Sequence, residues 1–130
     1  MKREIIITAR AIDEAALLAT RQILPGVGAV IAFTGAVRGS EAGEPITGIE
    51  YEAFERMAVH QFNLLFDEVE KRWPVMGVRL VHRTGMVGAG EASVWVEMMS
   101  PHRAEAFEAS QWLLTEMKRL VPIWKKPILK

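Results

Sequence analysis

The chain has 130 residues, half of them apolar and a quarter charged, which is enough for one domain with a buried core and no disulfide staples. Lys plus Arg balances Asp plus Glu at 16 each, which argues against general nucleic-acid binding, and the longest uncharged apolar runs fall short of the ~20 residues of a membrane span. Cysteine is absent, which excludes disulfides, thiolate catalysis, iron–sulfur clusters, Cys-based zinc sites and a persulfide carried on the chain.

The N-terminus begins with basic residues, but Glu4, Thr8 and Arg10 interrupt any signal-peptide core, so the expected location is the cytoplasm. Residues Glu4 to Ala9 form a β-rich apolar run. Asp13 then precedes Ala15, Ala16, Leu17 and Leu18, helix formers that run toward Leu24 until Pro25-Gly26 breaks them. Val27 to Val37 carries apolar residues on both faces, Ile31 and Phe33 against Val30 and Ala32, and is expected to be a long central strand ending beside Arg38. Arg38 to Pro45 is a polar, Gly-containing loop, expected to be mobile without ligand.

Ile46 to Phe54 resumes a strand. Ala58, Phe62, Leu65, Phe66 and Val69 then recur at i, i+4, i+7, i+8 and i+11, the stripe of an amphipathic helix stopping near Trp73-Pro74. Val78 to His82 and Ser93 to Met99 read as strands separated by a connection through Gly85, Gly88 and Gly90. Pro101 opens a helix to about Leu120, where Pro122 disfavours helical geometry at Val121. The order βαββαββα describes an α+β fold: one domain over residues 1–130, with a mixed or antiparallel sheet and three helices. His60, His82 and His102 show no metal-ligand spacing, so neither metal nor cofactor is assigned.

Charge is less even locally than in total. From Met117 to Lys130 there are five basic residues and no acidic one, a cationic patch that by itself reads as solvated surface. His102 and Arg103 stand at the start of the last helix, where backbone N–H groups lack partners and the macrodipole is positive. Cations there oppose the dipole. Either an anion docks there, or Arg103 pairs with Glu105 or Glu108 on its own helix and His102 acts as a cap or packing residue. Lys118 lies roughly 22 Å along the same helix from Arg103 at 1.5 Å per residue, so one helix cannot bring both to one anion. A shared pocket needs either a chain that folds back after Pro122 or a second subunit. Trp124 reads as a hydrophobic anchor for the returning segment or as a stacking surface for substrate.

Five motifs follow one another between Gly28 and Lys126: Phe33-Thr34-Gly35-Ala36-Val37-Arg38; Ile49-Glu50-Tyr51-Glu52-Ala53-Phe54 with Met57-Ala58; His82-Arg83-Thr84-Gly85; His102-Arg103 with Ala106-Phe107-Glu108-Ala109; and Lys118 with Pro122-Ile123-Trp124-Lys125-Lys126. In order and spacing the chain resembles the large, catalytic subunit family of molybdopterin synthase. The resemblance implies an α/β hammerhead fold and a sulfurtransferase that inserts two sulfurs into cyclic pyranopterin monophosphate to make molybdopterin. It implies a small ubiquitin-like partner that delivers sulfur as a thiocarboxylate on its C-terminal Gly-Gly tail, and a homodimer within a heterotetramer. A chain without cysteine must receive sulfur from outside, which agrees.

Carried over by position, the resemblance makes Lys118 and Lys125 the catalytic pair, one as acid or base and the other as stabiliser of the thiocarboxylate and developing oxyanion. Arg38, His102 and Arg103 hold the anionic substrate, the His-Arg pair reaching across from the other subunit. The sequence departs from the family at Pro127, where an acidic residue is common, and it stops at Lys130, short of many relatives. These departures motivate an alternative, an inactive relative that only binds a pterin phosphate or a partner tail. A ligand-free structural dimer is the third reading.

Overall fold

The computed structural model describes all 130 residues. The elements in chain order are β1 (Lys2–Thr8), α1 (Glu14–Ala19), β2 (Ala29–Ala36), β3 (Ser40–Glu41), β4 (Glu44–Ala53), α2 (Glu55–Arg72), β5 (Gly77–Arg83), β6 (Gly85–Gly88), β7 (Ala92–Ser100), α3 (Arg103–Leu120) and β8 (Ile123–Leu129). This is the expected α+β arrangement with three helices, built on two sheets. The first has the order β1-β5-β7-β2, with β1 parallel to β5 and the other pairs antiparallel. In the second, β4 is flanked by β6 and β8, with the short β3 at its start. No helix is long and apolar enough to cross a membrane.

Helices α2 and α3 cover one face of the first sheet. The stripe Ala58, Phe62, Leu65, Phe66 and Val69 is the buried set of α2, and it meets Val78 and Leu80 of β5, Val96 and Met98 of β7, and Ala109, Leu113 and Met117 of α3. The opposite face carries Arg79 and Glu97, tied down by α1 and the turn after it. Helix α1 is shorter than its sequence suggests. Asp13 Oδ1 accepts the Ala16 N–H at 3.0 Å to start it, and the Thr20 hydroxyl donates back to the Ala16 and Leu17 carbonyls and closes it.

Three expectations are corrected. Strand β2 is not central: it pairs only with β7 at the sheet edge, and none of its residues is fully buried. Its two-sided apolar pattern arises because its inner face lines a cavity while the outer face lies at the surface. The 38–45 segment is a hairpin rather than a loop, with Glu41 opposite Glu44 and both turn residues, Ala42 and Gly43, at positive φ (51° and 81°), as two-residue hairpin turns demand. The Gly-rich connection holds β6, reached through Gly85 at φ 77°, the corner where the chain steps from the first sheet to the second.

After Val121 the chain does fold back. Strand β8 runs antiparallel along β4, with Lys125 opposite Tyr51 and Lys126 opposite Glu50. Pro127 sits opposite Ile49 without ending the strand, because β8 is an edge strand and tolerates a missing N–H on its open side.

Candidate active site

A cavity of about 420 Å³ lies where the two sheets meet the end of α3. Each wall follows from local periodicity. Leu114, Met117 and Lys118 of α3 and its C-cap Val121 stand at i, i+3, i+4 and i+7, one face of a helix. His82, Val94 and Gly35 form a cross-strand row over β5, β7 and β2, and Ile49 with Tyr51 on β4 faces Ile123 with Lys125 on β8. Arg38, just beyond β2, and Glu41 on β3 close the rim.

Arg38, Lys118 and Lys125 therefore line one cavity, although they come from three distant parts of the chain. Neither the Arg38 nor the Lys118 side chain has a hydrogen bond or salt bridge within the chain. Lys125 Nζ donates to Glu41 Oε1 at 2.9 Å. That hydrogen bond and the ammonium charge hold the Glu41 carboxyl below the usual carboxylate range. Three cations against one carboxylate leave the cavity net positive, suited to an anion.

His102 and Arg103 do not line this cavity. They sit at the opposite end of α3, where His102 is the N-cap and its backbone N–H donates to Glu105 Oε2 at 3.1 Å. The local partners considered for Arg103 are committed elsewhere. Glu105 serves that cap, and Glu108 accepts from Trp73 Nε1 at 3.0 Å. Arg103 is exposed and unpaired. Trp124 packs edge-on against Phe54, ring centroids 4.9 Å apart, outside the cavity wall, which is the anchoring arrangement.

Sequence reasoning gave no role to Glu41, Tyr51 or His82. Tyr51 and His82 lie inside the second and third family motifs, and their rings meet edge-to-face at 5.4 Å. Glu41 had no local signal, because its partner is brought to it only by β8. Removing its charge frees Lys125, so Glu41→Gln is expected to tighten inorganic phosphate binding about two- to five-fold near neutral pH, the range of an exposed ion pair. Because the Glu41 carboxyl titrates below its usual range, the difference persists through mild acid and closes only as pH falls through that depressed value. Calorimetric titration of both proteins checks it; equal affinities near neutral pH would show that the pair does not compete with the anion.

Among known proteins, the profile of the family described as MoaE protein matches residues 7–120. The molybdopterin synthase catalytic subunit of Thermoplasma volcanium is 40% identical over 106 residues, 82% of this chain and 77% of the relative. That of Bacillus subtilis is 40% identical over 101 residues, and that of Homo sapiens 36% over 106. The chain spans only 64% and 56% of those two relatives' lengths. In three dimensions it superposes on Staphylococcus aureus molybdopterin synthase with a TM-score of 0.85 at 34% identity, covering 98% of this chain and 90% of that one. A second structure, a complex of subunits 1 and 2 of molybdopterin-converting factor from Helicobacter pylori, gives a TM-score of 0.72 at 25% identity, covering 98% and 88%.

Proposed function

The chain belongs to the MoaE family of molybdopterin synthase catalytic subunits, sulfurtransferases of molybdenum cofactor biosynthesis, and from that membership we propose its substrate, its partner and the residues that act. The substrate is cyclic pyranopterin monophosphate. The sulfur donor is the C-terminal thiocarboxylate of a small ubiquitin-like subunit, consistent with the two-subunit Helicobacter pylori complex. The reaction is placed in the cytoplasm.

The observation that carries this reading is the meeting of Arg38, Lys118 and Lys125 at one cavity, beside Glu41 of the β3–β4 hairpin. Arg38 takes the phosphate with its planar fork of donors. The two lysines flank the reacting carbons, one moving a proton while the other, released from Glu41, holds the thiocarboxylate and the oxyanion that develops as the carbon–sulfur bond forms. The tail is itself an anion and replaces Glu41 on Lys125 as it enters. No feature favours an inactive relative: Pro127 leaves β8 intact, and both lysines are present.

His102 and Arg103 join the site from a second copy of the chain. Fold-back after Pro122 brings Lys125 to Lys118, yet the far end of α3 stays roughly 22 Å away along the helix axis. The unpaired Arg103 thus belongs to its partner's substrate, in a homodimer within a heterotetramer.

Mixing separately inactive Arg103→Ala and Lys118→Ala proteins tests this. Random exchange puts one intact site in each mixed dimer and restores about a quarter of wild-type turnover. Mixtures as inactive as their parents would place the whole site within one chain.

A further inference from the structure

The cavity wall includes one ring nitrogen to which the mechanism above gives no part. His82, on β5, is 6% exposed and forms part of the cavity wall. Its Nδ1 lies 2.8 Å from the Arg83 carbonyl oxygen. A carbonyl only accepts, so the proton is on Nδ1 and the lone pair is on Nε2. Nε2 has no hydrogen-bond partner within the chain. Edge-to-face packing on Tyr51 fixes the ring plane.

The surrounding groups make that lone pair distinctive. Arg38, Lys118 and Lys125 only donate, Glu41 Oε1 accepts from Lys125, and the Ser93 hydroxyl donates to the Gly35 carbonyl at 3.2 Å; beside the oxygen acceptors of Glu41, Ser93 and Tyr51, His82 Nε2 is the one ring-nitrogen acceptor on the wall. The cations suit a phosphate and leave the N–H groups of a heteroaromatic ring without an acceptor. An acceptor that a bound ligand shuts off from water is costly unless the ligand supplies a donor, so a ligand that does so gains selectivity from it.

We propose that His82 Nε2 accepts a hydrogen bond from an N–H of the pterin ring, so that the base of the cavity reads the heterocycle while its cationic side holds the phosphate. This rests on the substrate proposed above and adds a recognition residue to it. Burial pushes the His82 imidazolium below the ordinary histidine range despite the hydrogen bond to Arg83, so the acceptor form prevails at neutral pH.

The test is calorimetric titration of wild type, His82→Gln and His82→Leu with cyclic pyranopterin monophosphate and, separately, with inorganic phosphate. The leucine variant is expected to bind the pterin about ten-fold more weakly and inorganic phosphate unchanged, while glutamine, whose Oε1 supplies an acceptor, stays within about three-fold of wild type. As pH falls through the depressed His82 value, wild type loses pterin affinity on a limb that His82→Gln lacks. Arg38, Glu41, Tyr51, Lys118, Lys125, the neighbouring Arg83 and the ligand phosphate are present in both proteins, so the comparison isolates His82.

Wild-type pterin affinity in folded His82→Leu would overturn the proposal, and so would equal losses for pterin and phosphate, which would mean a collapsed wall. Should the leucine variant fail to fold, the pH comparison decides: the same acid limb in His82→Gln overturns the proposal. Wild type that binds phosphate but no pterin overturns the substrate assignment together with it.

Discussion

Lys118→Ala is expected to lower molybdopterin formation about 10²–10⁴-fold, the range for removal of a positioned acid–base group. The loss is in turnover and not in folding. Lys118 is exposed in the last turn of α3 and its side chain makes no hydrogen bond or salt bridge, while Met117 beside it and Leu113 one turn earlier carry the packing. Thermal unfolding of the variant should therefore coincide with that of wild type. Its affinity for inorganic phosphate should fall less than its turnover, because Arg38 and Lys125 remain in the cavity. Full activity in Lys118→Ala would remove this residue from the mechanism.

Glu97→Ala acts on the other face of the first sheet, on stability. Glu97 is 1% exposed, and its carboxylate accepts from Arg79 Nε at 2.8 Å, Arg79 Nη2 at 3.0 Å and Arg21 Nε at 2.6 Å. Arg79 also donates to the Leu17 carbonyl and the Thr20 hydroxyl, so this cluster fastens α1 to the sheet. Truncation leaves two guanidinium groups without their buried counter-charge, a loss on the order of 3–5 kcal/mol. For a domain of this size that lowers Tm by roughly 10–20 °C.

Burial by itself would raise the Glu97 carboxyl, but the hydrogen bonds from Arg79 and Arg21 outweigh it and hold the group below the usual carboxylate range. A depressed folded-state value means that the contribution is complete above the unfolded carboxylate value, about 4.3, and is lost as pH falls through the folded one. Denaturant unfolding of wild type and Glu97→Ala should thus differ most near neutral pH and converge in strong acid. A gap independent of pH would assign the loss to packing instead of charge.

What the sequence disclosed depended on how local each signal was. The α2 stripe was legible because every third or fourth residue from Ala58 to Val69 faces one core. The separation of Arg103 from Lys118 followed from helix rise alone. Strand β8 was not legible as a strand: Ile123-Trp124-Lys125-Lys126-Pro127 has a basic pair and a proline where a strand would alternate, and its partner β4 lies far away in sequence. For the same reason Glu41 gave no sign of its partner Lys125. The edge position of β2 was hidden because a cavity wall and a buried sheet face call for the same apolar residues. The family motifs drew attention to Arg38, Lys118 and Lys125, and the return of β8 explains how residues so far apart in the chain reach one space.

Sulfur transfer at this cavity has a direct chemical readout. Incubating the purified protein with cyclic pyranopterin monophosphate and a thiocarboxylated small subunit should yield molybdopterin carrying two sulfurs, with two small-subunit tails returned to plain carboxylates for each pterin converted. Mass spectrometry of the tails and the pterin reads both. Tails that stay thiocarboxylated while the pterin remains bound and unchanged would contradict it.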